Sequence, residues 1–296
     1  MATVESSSPI ARSTASTQVG KGGGDRLFYL YAIFEADTAF SWDAGAAQIP
    51  GLDPVEQVFV LEAAGLSAAL SRVPANQFAE GPLNAALADL GSLAPLAVRH
   101  EEVVRALYAE HSALIPMSFG AIYRSTEAIA QLLSEQADKL RALLRALDGK
   151  VEWSVKVYID PAEAVGAARS MSPGLRALGE EANAAAPGRA YLLRKRIEQL
   201  SADEADHVVD EAIAVIVDRL SALSAQTQVD ELPQQPAVTL GTRQLVAQAA
   251  FLVDVGQQER FHESLADLES AHAALGLSVE LTGPWAPYSF VRAVRG

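Results

Sequence analysis

The sequence contains no cysteine. Disulfide bonds and thiolate metal sites are therefore excluded, and such a composition is typical of a reducing compartment. The sequence also lacks a run of the ~20 apolar residues that a membrane-spanning helix needs. Residues 1–25 are rich in Ser, Thr and Gly and lack the apolar segment of a secretory signal. These absences favour a cytoplasmic protein. They also favour a disordered tail over residues 1–25, with a regulatory or docking arm as the alternative.

Basic residues are scarce. The chain has 23 Lys and Arg against 37 Asp and Glu, which gives a formal net charge of −14. Nucleic acids and anionic lipid surfaces both select basic faces, so we expect neither as a partner. A negative surface instead favours basic partners.

Catalytic motifs are missing as well. The sequence has no Walker loop, no dinucleotide-binding glycine pattern and no GxSxG elbow, and His262-Glu263 lacks the second histidine of HExxH. His100 beside Glu101 could act as a base with its orienting group. A solvated helix face or a polar interface contact is the favoured interpretation of that pair. We therefore predict no enzymatic activity and no cofactor.

Metal ligands are not arranged in a recognisable pattern. His100 and His111 are eleven residues apart, which is too far along one helix for a shared ion. His207 lies within an acidic run from Asp203 to Glu211 that lacks the spacing of a calcium loop. We interpret that run as a solvated helix surface and predict no metal site.

With 296 residues, half of them hydrophobic, the chain is long enough for two domains. We predict an α+β fold with an N-terminal domain over residues 26–149 and a C-terminal domain over residues 150–296. In the first, strands are expected at 26–33, 55–63 and 66–73. Helices are expected at 83–90, 95–110 and, after a cap at Ser125, to residue 147. Residues 114–117 contain a proline, which favours an edge strand or a bend.

The second half has the order βαββαβ of a ferredoxin-like fold. Val151 to Ile159 alternates apolar and polar residues, as a half-buried strand does. Further strands are predicted at 238–240, 244–253 and 277–281, with a helix at 259–275. A long helix from about residue 187 to about 225 enlarges the fold.

That long helix carries apolar residues every three or four positions, at Val209, Ile213, Ile216, Leu220 and Leu223. Packing against its own sheet is the favoured interpretation and a coiled-coil contact is the alternative. A capping box at Ser201 and Glu204 could break the helix there. The basic cluster Arg194, Lys195 and Arg196 precedes the acidic run, so the helix has halves of opposite charge. This arrangement could serve antiparallel self-association or charge-matched docking, or solubility alone.

The last part of the chain is rigid and aromatic. Two prolines and a glycine there forbid a regular helix, yet large aromatic rings need burial. We expect this segment to fold onto the C-terminal domain, and a core-packed Trp285 replaced by Ala to cost about 3 kcal/mol. The structural signature residues are Gly283, Pro284, Trp285, Pro287, Tyr288 and Phe290.

This C-terminal segment closely resembles the signature GPWPPYSFV of the gas vesicle GvpF/GvpL family, with Ala286 in place of a proline. Shorter matches precede it, and one of them has Ala121 where members often have Thr. The resemblance covers roughly residues 26–291, and none of its motifs is catalytic in the family. These further motifs are Phe28–Ile33, His100–Val104, Leu114–Gly120, Leu147–Val157 and Ala250–Asp254.

The resemblance implies an accessory or minor component of gas vesicles that assists shell assembly by binding the shell protein GvpA. A general scaffold among accessory proteins, without shell contact, is the alternative. The implied location is the gas vesicle or the cytoplasm around it. We expect the long helix, with Arg194, Lys195 and Arg196, to form part of the partner-binding surface.

Overall fold

The computed structural model describes residues 26–36, 49–79, 90–232, 239–240 and 242–291. The predicted disordered tail at residues 1–25, and the predicted helix at 83–90 apart from its last residue, lie outside these ranges.

A five-stranded antiparallel sheet forms the centre of the first half, with the order β2-β3-β1-β4 and β5 also paired to β1. Pro116 lies in β4 at the edge of this sheet, as predicted for a residue without a backbone donor. The strands are β1 (Arg26–Glu35), β2 (Phe59–Ala63), β3 (Leu66–Pro74), β4 (Ile115–Pro116) and β5 (Ile122–Tyr123).

Helices cover both faces of this sheet. Leu107 packs with Tyr29 and Tyr31 on one face, whereas Leu140 packs with Leu30 on the other. The helices are α1 (Ala75–Phe78), α2 (Leu90–Glu110), α3 (Thr126–Glu135) and α4 (Ala137–Leu147).

The single long helix predicted after Ser125 is instead the pair α3 and α4. The predicted cap is confirmed, because the Ser125 hydroxyl accepts a hydrogen bond from the Ala128 N–H. Gln136 then leaves helical geometry, with φ −107° and ψ 13°, and separates the two helices. The apolar period continues across the break, so the sequence pattern alone did not reveal it.

The second sheet has the order β10-β6-β9-β7, with every neighbouring pair antiparallel and with β8 paired to β9. Counting its four main strands along the chain, this is the order 4-1-3-2 of a ferredoxin-like fold. The predicted fold class is therefore confirmed. The strands are β6 (Lys150–Ile159), β7 (Gln226–Val229), β8 (Thr239–Leu240), β9 (Arg243–Asp254) and β10 (Leu277–Trp285).

One face of the second sheet packs against helices, and the predicted alternation of β6 is confirmed. Val151, Trp153, Val155, Val157 and Ile159 all belong to one core cluster. The helices are α5 (Pro161–Met171), α6 (Pro173–Ala184), α7 (Pro187–Ser221) and α8 (Gln258–His272), and Asp160 caps α5 through two backbone N–H groups.

The apolar stripe of α7 packs in the core of its own sheet. Val209, Ile216 and Leu220 are buried there, which confirms sheet packing over a coiled-coil contact. The predicted break at Ser201 is wrong, because α7 runs through it without interruption. The Ser201 hydroxyl donates to the Ile197 carbonyl and accepts from Arg169 Nε at 3.0 Å, so it does not cap a new helix.

The two sheets share a core. Leu252 of β9 is fully buried in the same cluster as Leu140 and Leu144 of α4. Gly149, at φ +66°, connects α4 to β6, and its N–H donates to the Ser112 carbonyl at 3.2 Å. The domain boundary between residues 149 and 150 stays a prediction.

Candidate partner-binding surface and C-terminal strap

The C-terminal strap, which we define as residues 283–291, starts as the end of β10. Strand β10 is longer than the predicted 277–281, since Trp285 still pairs with Glu152 of β6 after an irregularity in register. Gly283 has φ +136°, and a Cβ at this position would lie 2.9 Å from the Glu152 carbonyl oxygen. The signature glycine is thus required both by its conformation and by its close approach to β6.

Trp285 is half-buried and belongs to none of the core clusters of the described residues. Its Nε1 donates to Thr282 Oγ1 at 3.4 Å within the same strand. The buried members of the strap are small or aliphatic, such as Ala286 and Val291, each 3% exposed. Because Trp285 lies outside the core, the expected cost of about 3 kcal/mol for its replacement by Ala is too high.

The strap does not fold onto the C-terminal half alone, which corrects the expectation. Ala286 and Tyr288 pack on the α2 side of the first sheet. Phe290 and Val291 pack with the cluster that contains α3 and α4. The strap therefore lies between the two sheets and contacts both cores of the first half.

Glu152 of β6 fixes the middle of the strap. Its carboxylate is 6% exposed and accepts two hydrogen bonds from Ser289, one from the backbone N–H and one from the hydroxyl, each at 2.8 Å. Hydrogen bonds to a charged acceptor are among the stronger ones. They compensate for the burial of this carboxylate.

His100 of α2 lies in a chain of hydrogen bonds that ends on the strap. Tyr29 Oη is 2.9 Å from Nδ1 of His100, and Tyr288 Oη is 3.3 Å from Nε2. Tyr288 donates its proton to Glu101 Oε2 at 3.0 Å, and Gly120 N–H donates to Tyr29 Oη at 3.0 Å. Tyr288 has one hydroxyl proton and gives it to Glu101, so its oxygen accepts a hydrogen bond from Nε2–H of His100. In a neutral imidazole Nδ1 then has no proton, so it accepts from the Tyr29 hydroxyl. The imidazole is neutral, with its proton on Nε2.

Burial is the main cause of the pKa shifts of the groups in this chain of hydrogen bonds. His100 is 4% exposed, and burial lowers its pKa to about 4, opposed in part by a hydrogen bond to the Met117 backbone. Burial also raises the pKa of the Glu101 carboxyl, while the hydrogen bond from Tyr288 opposes that rise. The pKa of Tyr288 is raised by burial and then by the Glu101 charge. Each of these shifts favours the neutral form of the group.

The favoured sequence interpretation of His100 needs one correction. It is a polar contact between elements, but it is buried and so does not lie on a solvated helix face. Both of its ring nitrogens have partners inside the protein, so the His100–Glu101 pair joins α2 to β1 and the strap. Sequence reasoning missed Tyr29, Ser289 and Glu152, which the fold brings together from distant positions.

The other histidines lie in different surroundings. His111 stacks on Phe34 at 4.0 Å between ring centroids, and His262 meets Trp153 edge to face at 4.5 Å. His207 is exposed on α7, as the solvated-surface interpretation of the acidic run requires. Across the described ranges, no three His, Cys, Asp or Glu side chains are grouped as a metal site would need.

Helix α7 carries the predicted partner-binding residues. Arg194, Lys195 and Arg196 are all exposed. Tyr191 and Leu192, which the sequence analysis did not single out, are 65% and 67% exposed just before them. The sequence pattern gives no signal of this exposure, because Tyr191 lies 18 residues, or about five turns, before Val209 and so is in line with the buried stripe.

The first half of α7 extends beyond the core of the second sheet. The helix has 35 residues, about 52 Å at the usual rise. Before Ser201 its one buried residue is Ala190, which lies outside the main core cluster. Helix α6 packs against α7 with Leu175 and Ala182 buried, and its Glu181 pairs with Arg189 in the first half of α7. Apolar and basic side chains are thus presented together on an arm formed by α6 and the first half of α7.

Together, these observations define an α+β protein of two joined sheets with an exposed helical arm. The family model for gas vesicle synthesis protein GvpL/GvpF matches residues 27–292. The chain therefore belongs to the GvpL/GvpF family.

Relatives described as gas vesicle proteins match most of this chain. Gas vesicle protein L of Streptomyces sp. (strain CB03234) is 33% identical over 266 residues, which covers 90% of this chain and 93% of the relative. Gas vesicle protein L1 of Halobacterium salinarum is 24% identical over 88% of this chain and 89% of the relative.

Solved structures show the same fold. The crystal structure of GvpF from Anabaena sp. PCC7120 matches with a TM-score of 0.65 at 21% identity, covering 90% of this chain and 98% of that one. GvpF from Microcystis aeruginosa matches with a TM-score of 0.60 at 20% identity and the same coverage. Among the described residues, no helix combines the length and apolar character needed to cross a membrane.

Proposed function

We propose that this protein is a non-enzymatic assembly factor or minor component of gas vesicles that binds the shell protein GvpA. Membership of the GvpL/GvpF family supports a role in gas vesicle formation. The finer role, direct contact with GvpA in the cytoplasm or at the growing vesicle, is the part we propose. The observation that carries it is the exposed surface of the arm.

The chemistry of that surface suits an apolar partner. Tyr191 and Leu192 leave apolar area in water, which favours contact with another apolar surface. Arg194 and Lys195 beside them supply positive charge in a chain of net charge −14. Cations beside an apolar contact orient a partner that has acidic groups around its apolar area and increase its rate of encounter.

The buried polar groups around His100 have a structural role. The hydrogen bonds of His100 and Glu152 described above connect parts of the protein to one another. We therefore assign these groups to holding the strap between the sheets, and partner binding to α7.

A binding assay with purified GvpA tests the proposal. The variant Tyr191→Ser with Leu192→Ser removes the exposed apolar area, and we expect GvpA capture to fall about tenfold or more. The matched control is Val55→Ser, because Val55 is 86% exposed and lies in the N-terminal half of the protein, outside α7. GvpA capture by this variant should not change. Full capture by the double variant would contradict the proposed surface. Capture of other vesicle proteins without GvpA would support the scaffold alternative.

A further inference from the structure

A second pattern on α7 shares Arg196 with the predicted basic cluster but lies on a different face of the helix from Tyr191 and Lys195. Seven positions follow one another at spacings of 4, 3, 4, 4, 3 and 4 residues, so they lie along one face of the helix. The pattern is symmetric in position about Leu200, with two Arg and one Leu before it and two Glu and one His after it. These positions are Arg189, Leu193, Arg196, Leu200, Glu204, His207 and Glu211.

This seam, as we call the seven residues, is accessible. Six of its members are exposed, Leu200 among them at 37%, and Leu193 is half-buried. The buried residues of α7, such as Ser201 and Ala205, lie on a different face. The protein itself therefore leaves the seam open along most of its length, about 33 Å from Arg189 to Glu211.

We propose that α7 pairs in antiparallel orientation with α7 of a second copy of this chain, with the two-fold axis at Leu200. In that arrangement Leu200 meets Leu200 of the second copy. Arg196 faces Glu204 of the second copy, and by symmetry the same pair forms again on the other side of the axis. Arg189 faces Glu211, and Leu193 packs beside His207.

Charge complementarity identifies a second copy as the occupant. A two-fold axis pairs each position before Leu200 with one equally far after it, and both Arg positions of the seam meet Glu. A parallel arrangement would place Arg196 against Arg196 and Glu204 against Glu204, which is unfavourable. Arg189 already pairs with Glu181 of α6, but its side chain is 70% exposed and can contact a second carboxylate.

The surface proposed for GvpA is left free by this pairing. At 3.6 residues per turn, Tyr191 lies half a turn around the helix from Leu200, and Lys195 lies nearly as far. The self-association and the proposed binding of GvpA can therefore fail separately. Leu192 lies between these two faces.

Sedimentation of the full chain over a concentration series tests the pairing. We expect a reversible dimer for the wild type. Arg196→Glu alone and Glu204→Arg alone each place like charges together twice, and we expect each to weaken the dimer about tenfold or more. The double variant Arg196→Glu with Glu204→Arg restores both pairs and should recover dimerisation. An equimolar mixture of the two single variants should form a heterodimer.

Within one chain, Arg196 and Glu204 are eight residues apart and do not contact each other, so recovery cannot be intramolecular. Lys195→Glu makes the same charge change on the other side of the helix and should leave the dimer unchanged. Both sites are exposed, so at concentrations where every protein is monomeric, circular dichroism and the melting temperature should not change in any variant. A monomeric wild type at every concentration, or a double variant that dimerises no better than the single ones, overturns the proposal.

Discussion

Ser289 of the strap donates both its backbone N–H and its hydroxyl to the carboxylate of Glu152 on β6, each at 2.8 Å. The two residues are 137 positions apart in the chain. Because the neighbouring Tyr288 donates to Glu101 of α2, two adjacent residues of the strap are hydrogen-bonded to both halves of the protein. The strap thus connects β6 with the first half.

Glu152→Gln should destabilise the protein by about 1–3 kcal/mol. The amide keeps the shape of the side chain, but its NH₂ group cannot accept the second hydrogen bond from Ser289. The measurement is the free energy of unfolding in denaturant. Glu62→Gln, at an exposed position of β2, is the control and should change nothing. Equal stability of the two variants would show that the pair with Ser289 contributes nothing.

Tyr288→Phe should cost about 1–3 kcal/mol, because it removes the acceptor of His100 Nε2 and the donor to Glu101. Tyr191→Phe removes the same hydroxyl from an exposed site and should be neutral within about 0.5 kcal/mol. Thermal or chemical unfolding of both variants makes the comparison. A neutral Tyr288→Phe would mean that the hydrogen-bond chain through His100 has no energetic role.

His100 should make the protein less stable in mild acid. Its pKa is lowered from 6.5 to about 4 in the folded state. The unfolded chain therefore binds the proton first as the pH falls. Its contribution to stability is complete above pH 6.5 and is lost as the pH falls toward 4, by an amount on the order of 2–3 kcal/mol. Glu101 has the opposite effect, because its pKa is raised in the folded state. The folded protein therefore binds the Glu101 proton first as the pH falls, and the contribution of Glu101 to stability is lost as the pH rises.

The comparison with His100→Gln isolates the histidine, because glutamine can donate and accept but does not titrate. Free energies of unfolding measured between pH 7 and pH 4 should decrease less steeply in the variant than in the wild type. Parallel curves for the two proteins would contradict a buried, neutral His100.

Gly283→Ala should destabilise the protein by about 1–3 kcal/mol, because its φ of +136° and its contact with the Glu152 carbonyl both exclude a side chain. Gly179, inside α6 with open space around it, is the matched site. Gly179→Ala should be neutral or stabilising by up to about 1 kcal/mol. Unfolding curves of the two Gly→Ala variants decide the matter, and a Gly283→Ala protein as stable as the wild type would refute the account of this turn.

Periodic segments were predictable from the sequence because their burial follows from their own residues. The alternation of β6 and the stripe of α7 each indicated the face that packs inward, and both are confirmed. The break at Gln136 was not predicted, and the alternative of a break at Ser201 does not occur, because both depend on tertiary packing and not on local pattern. Arg169, 32 residues from Ser201, gives that hydroxyl a partner that no capping rule includes.

The strap shows a different limit. Its prolines and aromatic residues indicated a docked segment, but not what it docks on. Its partners Glu152 and His100 come from β6 and α2, and the topology alone brings them together. The size of Trp285 suggested a core residue, whereas the core contains Ala286 and Val291.

Photo-crosslinking from α7 in cells that form gas vesicles tests the proposed function most directly. A crosslinking amino acid at position 192 should give a covalent adduct with GvpA, because Leu192 lies in the proposed contact surface. The same amino acid at position 55, which is at least as exposed and lies in the first half, should give none. Vesicle-forming cells in which position 192 yields no GvpA adduct, or no more than position 55 does, would contradict direct binding of the shell protein by this surface.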